Sequence, residues 1–401
     1  MKKNVFVFIF ICYIATITTA QRCGNELLHP KENDKIEVFE QMLQKALLKE
    51  KAMLRSDITI PIVFHILWHT EEENVSDALI LSQLEALNRD YNAQNEDVKE
   101  VPKEFENVIG NVGIHFCIAT KNVNDKIVAG IIRKQVDVVE FGLSENIHFD
   151  LKGGSDAWDT DQYLNIWVAN TGKVIAGYGS YPLLVEKEKS GVVIHPKYFG
   201  INQHLKYGLG RVATHEIGHY LGLKHPWADD ENCDTDDGVE DTPLQKKAYK
   251  GCPVYPKKGC SDSEMFMTFM DYVDDDCMFL FTEGQKKRMI TTIEVARKGL
   301  INGNTLCAKG SNEKENKFKV FPNPFLDKIT VQFEKAILKE CTVYLINTLG
   351  QILLGEKRFI NDEISLNITE NLPQGLYYLK IDTFDADAEY ITYCHSLMRV
   401  R

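Results

Sequence analysis

Basic residues are scarce in this chain relative to acidic ones. Its 401 residues include 46 Lys and Arg against 58 Asp and Glu, a formal net charge of −12. Such a balance repels polyanions, so we expect neither a nucleic acid nor an anionic membrane surface as a partner. Long apolar runs are also lacking after the first twenty residues. We therefore expect no integral membrane segment.

The N-terminus has the pattern of a secretory signal. Lys2 and Lys3 precede a short apolar stretch at 5–14, and small residues at 18–20 offer a cleavage site. We expect a signal peptide over 1–20 and an exported protein. The apolar fraction of 44% supports folded cores, and the length favours two or three domains.

Cysteines fit an exported chain. There are ten, and removal of Cys12 with the signal leaves nine. Disulfides are expected, and the odd number leaves at least one thiol over. Four cysteines cluster in an acidic, loop-rich segment, and the residues alone allow three pairings: Cys233, Cys252, Cys260 and Cys277.

The strongest chemical signal is the run from His215 to His225, which reads H-E-x-x-H-x-x-G-x-x-H. His215 and His219 lie one helical turn apart and so share a face, with Glu216 on its flank. Gly222 can end the helix and return the chain, so that His225 reaches the same point. Three neutral imidazoles leave the fourth tetrahedral position of Zn²⁺ open.

This set of residues predicts hydrolysis of a peptide bond. Zinc lowers the pKa of a water that it binds to ~7 and polarises a carbonyl. Glu216 would act as the general base, accepting the proton of that water and passing it to the leaving amine.

The run resembles the metzincin clan of metallopeptidases, whose second signature is a Met-turn below the metal. Met270 matches that turn, and Tyr272 could donate a hydrogen bond to the tetrahedral intermediate. Further segments resemble the pappalysin family: 164–168, 191–194, 233–243 and 270–278. The resemblance implies an α/β (α+β) catalytic domain, with a twisted mixed sheet and an active-site helix.

The same resemblance implies the disulfides Cys233–Cys260 and Cys252–Cys277. It also implies a structural Ca²⁺ bound through Asp237, Thr242 and the carbonyl of Val239. The alternative is that this carboxylate-rich segment is only a solvated acidic loop.

Cys23 has the features of a zymogen latch. A thiolate is a strong zinc ligand and would displace the water. Similar zymogens of the family carry such a cysteine in a short propeptide, here 21–55, which ends in an amphipathic helical pattern at 35–55. The alternative is a disulfide from Cys23 to Cys117 or Cys307.

Asp276 is the candidate determinant of specificity. In relatives that cut before arginine, an aspartate here resembles the floor of the S1′ pocket, where it would pair with a guanidinium. We expect cleavage on the N-terminal side of Arg, less well Lys, and self-activation at Leu54–Arg55. The alternative is that Asp276 only belongs to an acidic run.

A catalytic domain over 56–308 should begin with a strand at 58–67, followed by a helix that Ser76 caps. Further strands are expected at 113–119, 127–133 and 164–169. The glycine-rich segment 176–182 resembles the family's cleft-edge strand, which would bind an extended peptide by β-augmentation.

A polar linker at 309–317 precedes a C-terminal module, 318–401, whose pattern is all-β. About seven strands predict an immunoglobulin-like sandwich. Pieces at 322–324, 349–351 and 375–377 resemble the C-terminal sorting domain of type IX secretion substrates. This implies the type IX machinery as a partner and export across both membranes of a Gram-negative bacterium, to the cell surface or beyond. The alternative is an accessory binding sandwich.

Together these features predict a secreted zinc endopeptidase, made as a zymogen, that acts on proteins or peptides. A surface adhesin with a structural zinc site is the alternative from another class. It would need a fourth protein ligand and no use for Glu216.

Overall fold

The structure is a computed structural model. It describes residues 21–28, 34–48, 58–123, 126–173, 175–202, 205–307, 318–322, 325–333, 340–347, 352–359, 363–368, 372–373, 375–384 and 390–399. The predicted signal peptide, the Leu54–Arg55 bond and the linker lie outside these residues. No described helix is long and apolar enough to cross a membrane.

The N-terminal unit mixes helices with short strands. In chain order its elements are β1 (Gln21–Cys23), α1 (Asn25–Leu28), α2 (Asp34–Leu47), β2 (Ile58–Trp68), α3 (Asp77–Asp90), β3 (Ile114–Ile118), β4 (Thr120–Val123), β5 (Lys126–Ala129), β6 (Ile131–Gln135), β7 (Leu164–Val168), β8 (Ile175–Gly179), β9 (Val192–Ile194), α4 (Arg211–Tyr220) and α5 (Glu283–Ala296).

Seven of these strands form one mixed sheet in the order β1-β8-β9-β7-β2-β3, with β6 also paired to β2. Only the β8–β9 pair is antiparallel. The central strands β7 and β9 are buried throughout, as expected of parallel strands covered on both faces. Among the described strands of this sheet, β8 pairs on its outer side with β1 alone, so the N-terminal segment supplies the edge strand.

Local sequence signals locate several of these elements well. The Ser76 hydroxyl caps α3 by accepting a hydrogen bond from the Leu79 amide at 3.2 Å, and β2 matches its predicted span to within a residue. The helix predicted at 35–55 is described only to Leu47. The strand predicted at 127–133 is divided between β5 and β6 at Gly130, where a Cβ would lie 3.1 Å from the Ile62 carbonyl.

Helix α4 lies against the sheet and is buried along its whole length. Val212, Ala213 and Ile217 join the main hydrophobic core with residues of β2, β7 and β9. The core therefore fixes the helix that carries the histidine run.

The structure shows the disulfides Cys117–Cys307, Cys233–Cys260 and Cys252–Cys277 among the residues that it describes. Cys23 forms no disulfide. The alternative in which Cys23 pairs with Cys117 or Cys307 is wrong, because those two cysteines pair with each other.

The C-terminal module is all-β, as predicted. Its strands are β10 (Phe318–Phe321), β11 (Lys328–Phe333), β12 (Glu340–Asn347), β13 (Ile352–Phe359), β14 (Glu363–Asn367), β15 (Gly375–Phe384) and β16 (Tyr390–Arg399). They form a three-stranded sheet, β10-β11-β14, and a four-stranded sheet, β13-β12-β15-β16. Alternate apolar residues of both sheets share one core, which is the arrangement of a sandwich.

Candidate active site

The histidine run occupies α4 and the turn after it. The helix ends at Tyr220, Leu221 is its C-cap residue, and Gly222 follows with φ +85°, the left-handed conformation that glycine favours. Inside the helix, a Cβ on Gly218 would lie 2.5 Å from the Met270 sulfur. The absence of a side chain at Gly218 therefore lets Met270 pack directly beneath the helix, as a soft apolar floor.

The Nε2 atoms of His215, His219 and His225 converge. They lie 3.1 Å (His215–His219), 3.0 Å (His219–His225) and 3.3 Å (His215–His225) apart. Tetrahedral ligands about 2.05 Å from a zinc ion are separated by roughly 3.3 Å, so this triangle fits zinc. The Cys23 sulfur completes a fully buried group of four ligand atoms that all lie within 4.8 Å of one another.

Hydrogen bonds to the other ring nitrogens orient the three imidazoles. His215 Nδ1 lies 2.8 Å from the Phe269 carbonyl, and His219 Nδ1 lies 2.8 Å from the Leu223 carbonyl. His225 Nδ1 contacts the Asp229 carboxylate. A carbonyl only accepts, so Nδ1 of His215 and of His219 carries the proton and Nε2 presents its lone pair to the centre. Burial lowers the pKa of His215 far below its usual value, which keeps the ring neutral.

Glu216 lies beside this centre and contacts Cys23. Its Oε2 accepts a hydrogen bond from the Cys23 thiol at 3.4 Å, and its Oε1 is buried without a described partner. Burial raises the pKa of Glu216 to about 8. Burial and the neighbouring carboxylate also raise the pKa of the Cys23 thiol. A cation among the histidines would favour the ionised form of both groups.

The glycines of β8 allow the sheet to approach Glu216 closely. A Cβ on Gly179 would lie 2.4 Å from the Glu216 carbonyl oxygen, and one on Gly177 would lie 3.1 Å from its Cγ. The glycines in the segment 176–182 are thus needed for close packing against Glu216, and the segment also lies at the cleft edge.

Strand β1 runs parallel to β8, with Cys23 opposite Gly177. Beyond it, Gly24 donates to the Gly177 carbonyl at 2.8 Å, and Asn25 Oδ1 accepts from the Gly179 amide at 3.0 Å. The edge of β8 is therefore occupied along the segment nearest Glu216.

Arg22 enters a closed pocket next to the histidines. Its Nη1 donates to Asp275 Oδ1 at 2.8 Å and to the Val273 carbonyl at 3.1 Å. Its Nη2 lies 3.1 Å from the Met278 sulfur, and its guanidinium lies 5.0 Å from the centre of the Tyr207 ring. The guanidinium is thus desolvated but paired.

The residue that lines this pocket is Asp275 and not Asp276. Asp276 is exposed, whereas Asp275 is 1% exposed and holds Arg22. Both residues lie in the same short 3₁₀ turn, Asp275–Cys277, so only one of the two carboxylates can face inward. Asp275 is held in place by the Leu209 amide at 2.9 Å.

Helix α2 makes a second attachment, away from the histidines. Phe39 and Leu43 are buried against Tyr181 and Leu184. Next to them, Glu40 pairs with Arg288 and accepts a hydrogen bond from the Tyr181 hydroxyl at 2.9 Å.

The acidic loop brings together the three predicted calcium ligands. The Thr242 hydroxyl lies 2.8 Å from Asp237 Oδ1 and 2.8 Å from the Val239 carbonyl oxygen. Asp237 is 2% exposed, and its Oδ2 is buried without a described partner. Burial raises the pKa of Asp237 to about 7. A buried carboxylate oxygen with no partner fits a hard cation.

Tyr272 stands at the edge of the site. Its ring centre lies 5.8 Å from that of His215 and 4.8 Å from that of His225, and Tyr272 packs with Cys23 and Trp227 in one buried cluster. Trp227 also stacks on His225 at 4.4 Å. Sequence reasoning missed Trp227, Asp229 and Arg22. The one sequence feature that could have pointed to Arg22 is its position next to Cys23.

Comparisons with known proteins agree with this geometry. The family described as pregnancy-associated plasma protein-A matches residues 150–294, and the secretion system C-terminal sorting domain matches 319–389. An extracellular metalloprotease of Arthroderma gypseum is 26% identical over 306 residues, which cover 72% of this chain and 89% of the relative.

Two solved structures match more strongly. Mature mirolysin of Tannerella forsythia in complex with a cleaved peptide is 39% identical, with 64% of this chain and all of that chain covered and a TM-score of 0.60. A promirolysin point mutant from the same organism is 36% identical, covering 71% of this chain and 99% of that chain, with a TM-score of 0.67.

The mixed sheet with its active-site helix is therefore the predicted metzincin fold. The chain belongs to the pappalysin-like peptidase family: it is an exported zinc metalloprotease that carries a type IX C-terminal sorting domain.

Proposed function

We propose that the protein is a latent endopeptidase that cuts before arginine and is activated by its own cut at Leu54–Arg55. The observation that carries the proposal is the convergence of three histidine nitrogens beside Glu216, covered by Cys23 and Arg22. A peptide substrate takes the place of β1 after activation.

His215, His219 and His225 hold the zinc, whose chemistry when bound is to polarise the scissile carbonyl and acidify a water. Glu216 accepts a proton from the attacking water and delivers it to the leaving amine. The Tyr272 hydroxyl donates a hydrogen bond to the oxyanion.

Latency rests on the direction of the propeptide as well as on Cys23. Strand β1 runs parallel to β8, whereas a substrate would pair with β8 in the antiparallel direction. The backbone of β1 therefore runs opposite to that of a substrate, and its carbonyl groups are oriented differently. The segment at Cys23 therefore blocks the centre in an orientation that does not favour its own cleavage.

Specificity follows from the Arg22 pocket. Arg22 precedes Cys23 on a strand that runs in reverse, so it lies where the residue after the cut would lie in an antiparallel substrate. Asp275 pairs with that residue's guanidinium, the Val273 carbonyl accepts a second hydrogen bond, and Tyr207 contacts its face. Lysine is bound less well, because its single ammonium lacks the planar fork.

Asp237, Val239 and Thr242 bind a structural Ca²⁺, supported by the buried Asp237 oxygen that has no described partner.

The domains run 1–20 (signal peptide), 21–55 (propeptide), 56–308 (catalytic domain), 309–317 (linker) and 318–401 (sorting domain). The type IX machinery recognises the last of these.

The decisive experiment compares the full-length protein with Glu216→Ala. During incubation the wild-type chain should gain a new N-terminus at Arg55, as read by N-terminal sequencing, whereas the variant should remain intact because it lacks its general base. The matched control adds activated wild-type protein to the variant, which should then be cut at Leu54–Arg55 in trans. Self-processing of Glu216→Ala at the wild-type rate would contradict the proposal.

A further inference from the structure

A separate cavity lies beside the point where the propeptide leaves the histidine centre. Its volume is about 270 Å³. Tyr178 and Val193 of the sheet line it together with Leu143 and Leu184, and Leu28 of the propeptide forms part of its wall. Removal of the propeptide would open this cavity to the cleft.

The register of the propeptide locates the cavity along the cleft. Cys23, at the centre, is opposite Gly177, and Asn25 caps the amide of Gly179. A strand rises ~3.3 Å per residue, so Gly179 is roughly 7 Å farther along β8. In a substrate antiparallel to β8, the second and third residues before the cut lie at Gly179, next to the cavity.

The cavity lining is suited to an uncharged side chain. His148 is buried, and burial together with Lys189 lowers its pKa to about 3, so the imidazole is neutral. Lys189 is held between Glu145 at 2.7 Å and Glu186 at 2.8 Å. An acidic side chain would have to compete with both glutamates for this lysine.

Two observations favour a large apolar occupant. Leu28 already packs on the apolar cluster that includes Tyr178 and Val193, so the zymogen places an aliphatic side chain against this wall. In addition, Met53 is the second residue before the Leu54–Arg55 bond, and the third is the small Ala52.

We propose that this cavity is a specificity subsite that takes a large apolar side chain from the second residue before the cut, and that it takes Met53 during activation. The inference rests on the proposed cleavage before arginine. This subsite would make the enzyme selective also on the side of the cleft that binds the residues before the cut. Its walls there are Leu143, Tyr178, Leu184 and Val193.

Fluorogenic peptides with the sequence of residues 51–57 test the subsite. The enzyme is the full-length protein after it has been activated by the cut at Leu54–Arg55. Met53→Gly should lower kcat/KM about tenfold, because the cavity loses its apolar occupant. Met53→Glu should lower it further, and Met53→Phe should keep it within about threefold. Equal rates for these four peptides, or faster cleavage of a fifth peptide, Met53→Lys, would overturn the subsite. Absence of any cut before Arg55 would instead overturn the proposed function, and the subsite with it.

A variant of the enzyme tests the proposed subsite independently of the peptide series. Leu143→Trp fills the cavity from its wall, so the Met-to-Gly ratio of kcat/KM should fall towards one. The matched control is Leu151→Trp, at a fully exposed leucine, which should keep the wild-type ratio. A wild-type ratio in Leu143→Trp would also overturn the subsite.

Discussion

The N-terminal elements β1 and α2 are attached to the rest of the unit by different kinds of contact. Strand β1 is held by polar contacts in a closed site, where Arg22 pairs with Asp275 and Cys23 contacts Glu216. Helix α2 is held largely by apolar burial of Phe39 and Leu43. The first attachment lies at the histidine centre, where the proposed function places the substrate. The second lies away from that centre, so the two attachments can be broken separately.

Asp275→Asn should have the largest effect, since the proposed function has Asp275 bind both Arg22 and the arginine of a substrate. Removal of one partner of a buried ion pair costs about 3–5 kcal/mol, so kcat/KM for peptides with Arg after the cut should fall by roughly two to four powers of ten. Peptide kinetics measure this. The matched control, Asp276→Asn, should retain activity because Asp276 is exposed. The reverse result would restore Asp276 as the specificity residue.

Phe39→Ala should weaken the attachment of α2 alone. Loss of a buried phenylalanine costs about 3–5 kcal/mol, so α2 should detach and become sensitive to a second protease, while kcat of the activated enzyme stays unchanged. Limited proteolysis of the zymogen in the Glu216→Ala background reports this. Val38→Ala, at an exposed neighbour, is the control and should leave α2 protected. Equal sensitivity of the two variants would show that α2 is not a docking element.

Cys23→Ser should weaken the attachment of β1 and leave α2 docked. A hydroxyl is a poorer zinc ligand than a thiolate, so self-cleavage at Leu54–Arg55 should begin sooner, by about tenfold or more in half-time. Timed N-terminal sequencing measures this. An unchanged half-time would mean that Arg22 and α2 alone maintain latency.

Asp237→Asn should have the smallest effect, because its loop belongs to neither attachment. Loss of one carboxylate charge should lower calcium affinity, and we expect a Tm gain on adding Ca²⁺ in the wild-type zymogen that shrinks by a few degrees in the variant. Thermal unfolding with and without a chelator measures it. The control is Asp236→Asn, at an exposed neighbour. A wild-type Ca²⁺ response in Asp237→Asn would remove this residue as a ligand.

The histidine centre could be predicted from the sequence, whereas the pocket that holds Arg22 could not. His215, Glu216, His219 and His225 could be assigned from spacing, because one helix and one glycine turn carry all four. Asp275 could not be distinguished from Asp276, because a run of three acidic residues has no pattern that tells which side chain faces inward.

By itself, the sequence determined the chemistry: local periodicity brings the histidines and Glu216 to one face, and short motifs mark the sheet edge, the Met-turn and the sorting domain. Only the tertiary structure decided what the cleft holds, since Arg22 and Asp275 are 253 positions apart. Contacts over such separations depend on how the sheet, α4 and the disulfide-bonded loop pack together. No local pattern encodes that packing, because burial is a property of the assembled fold.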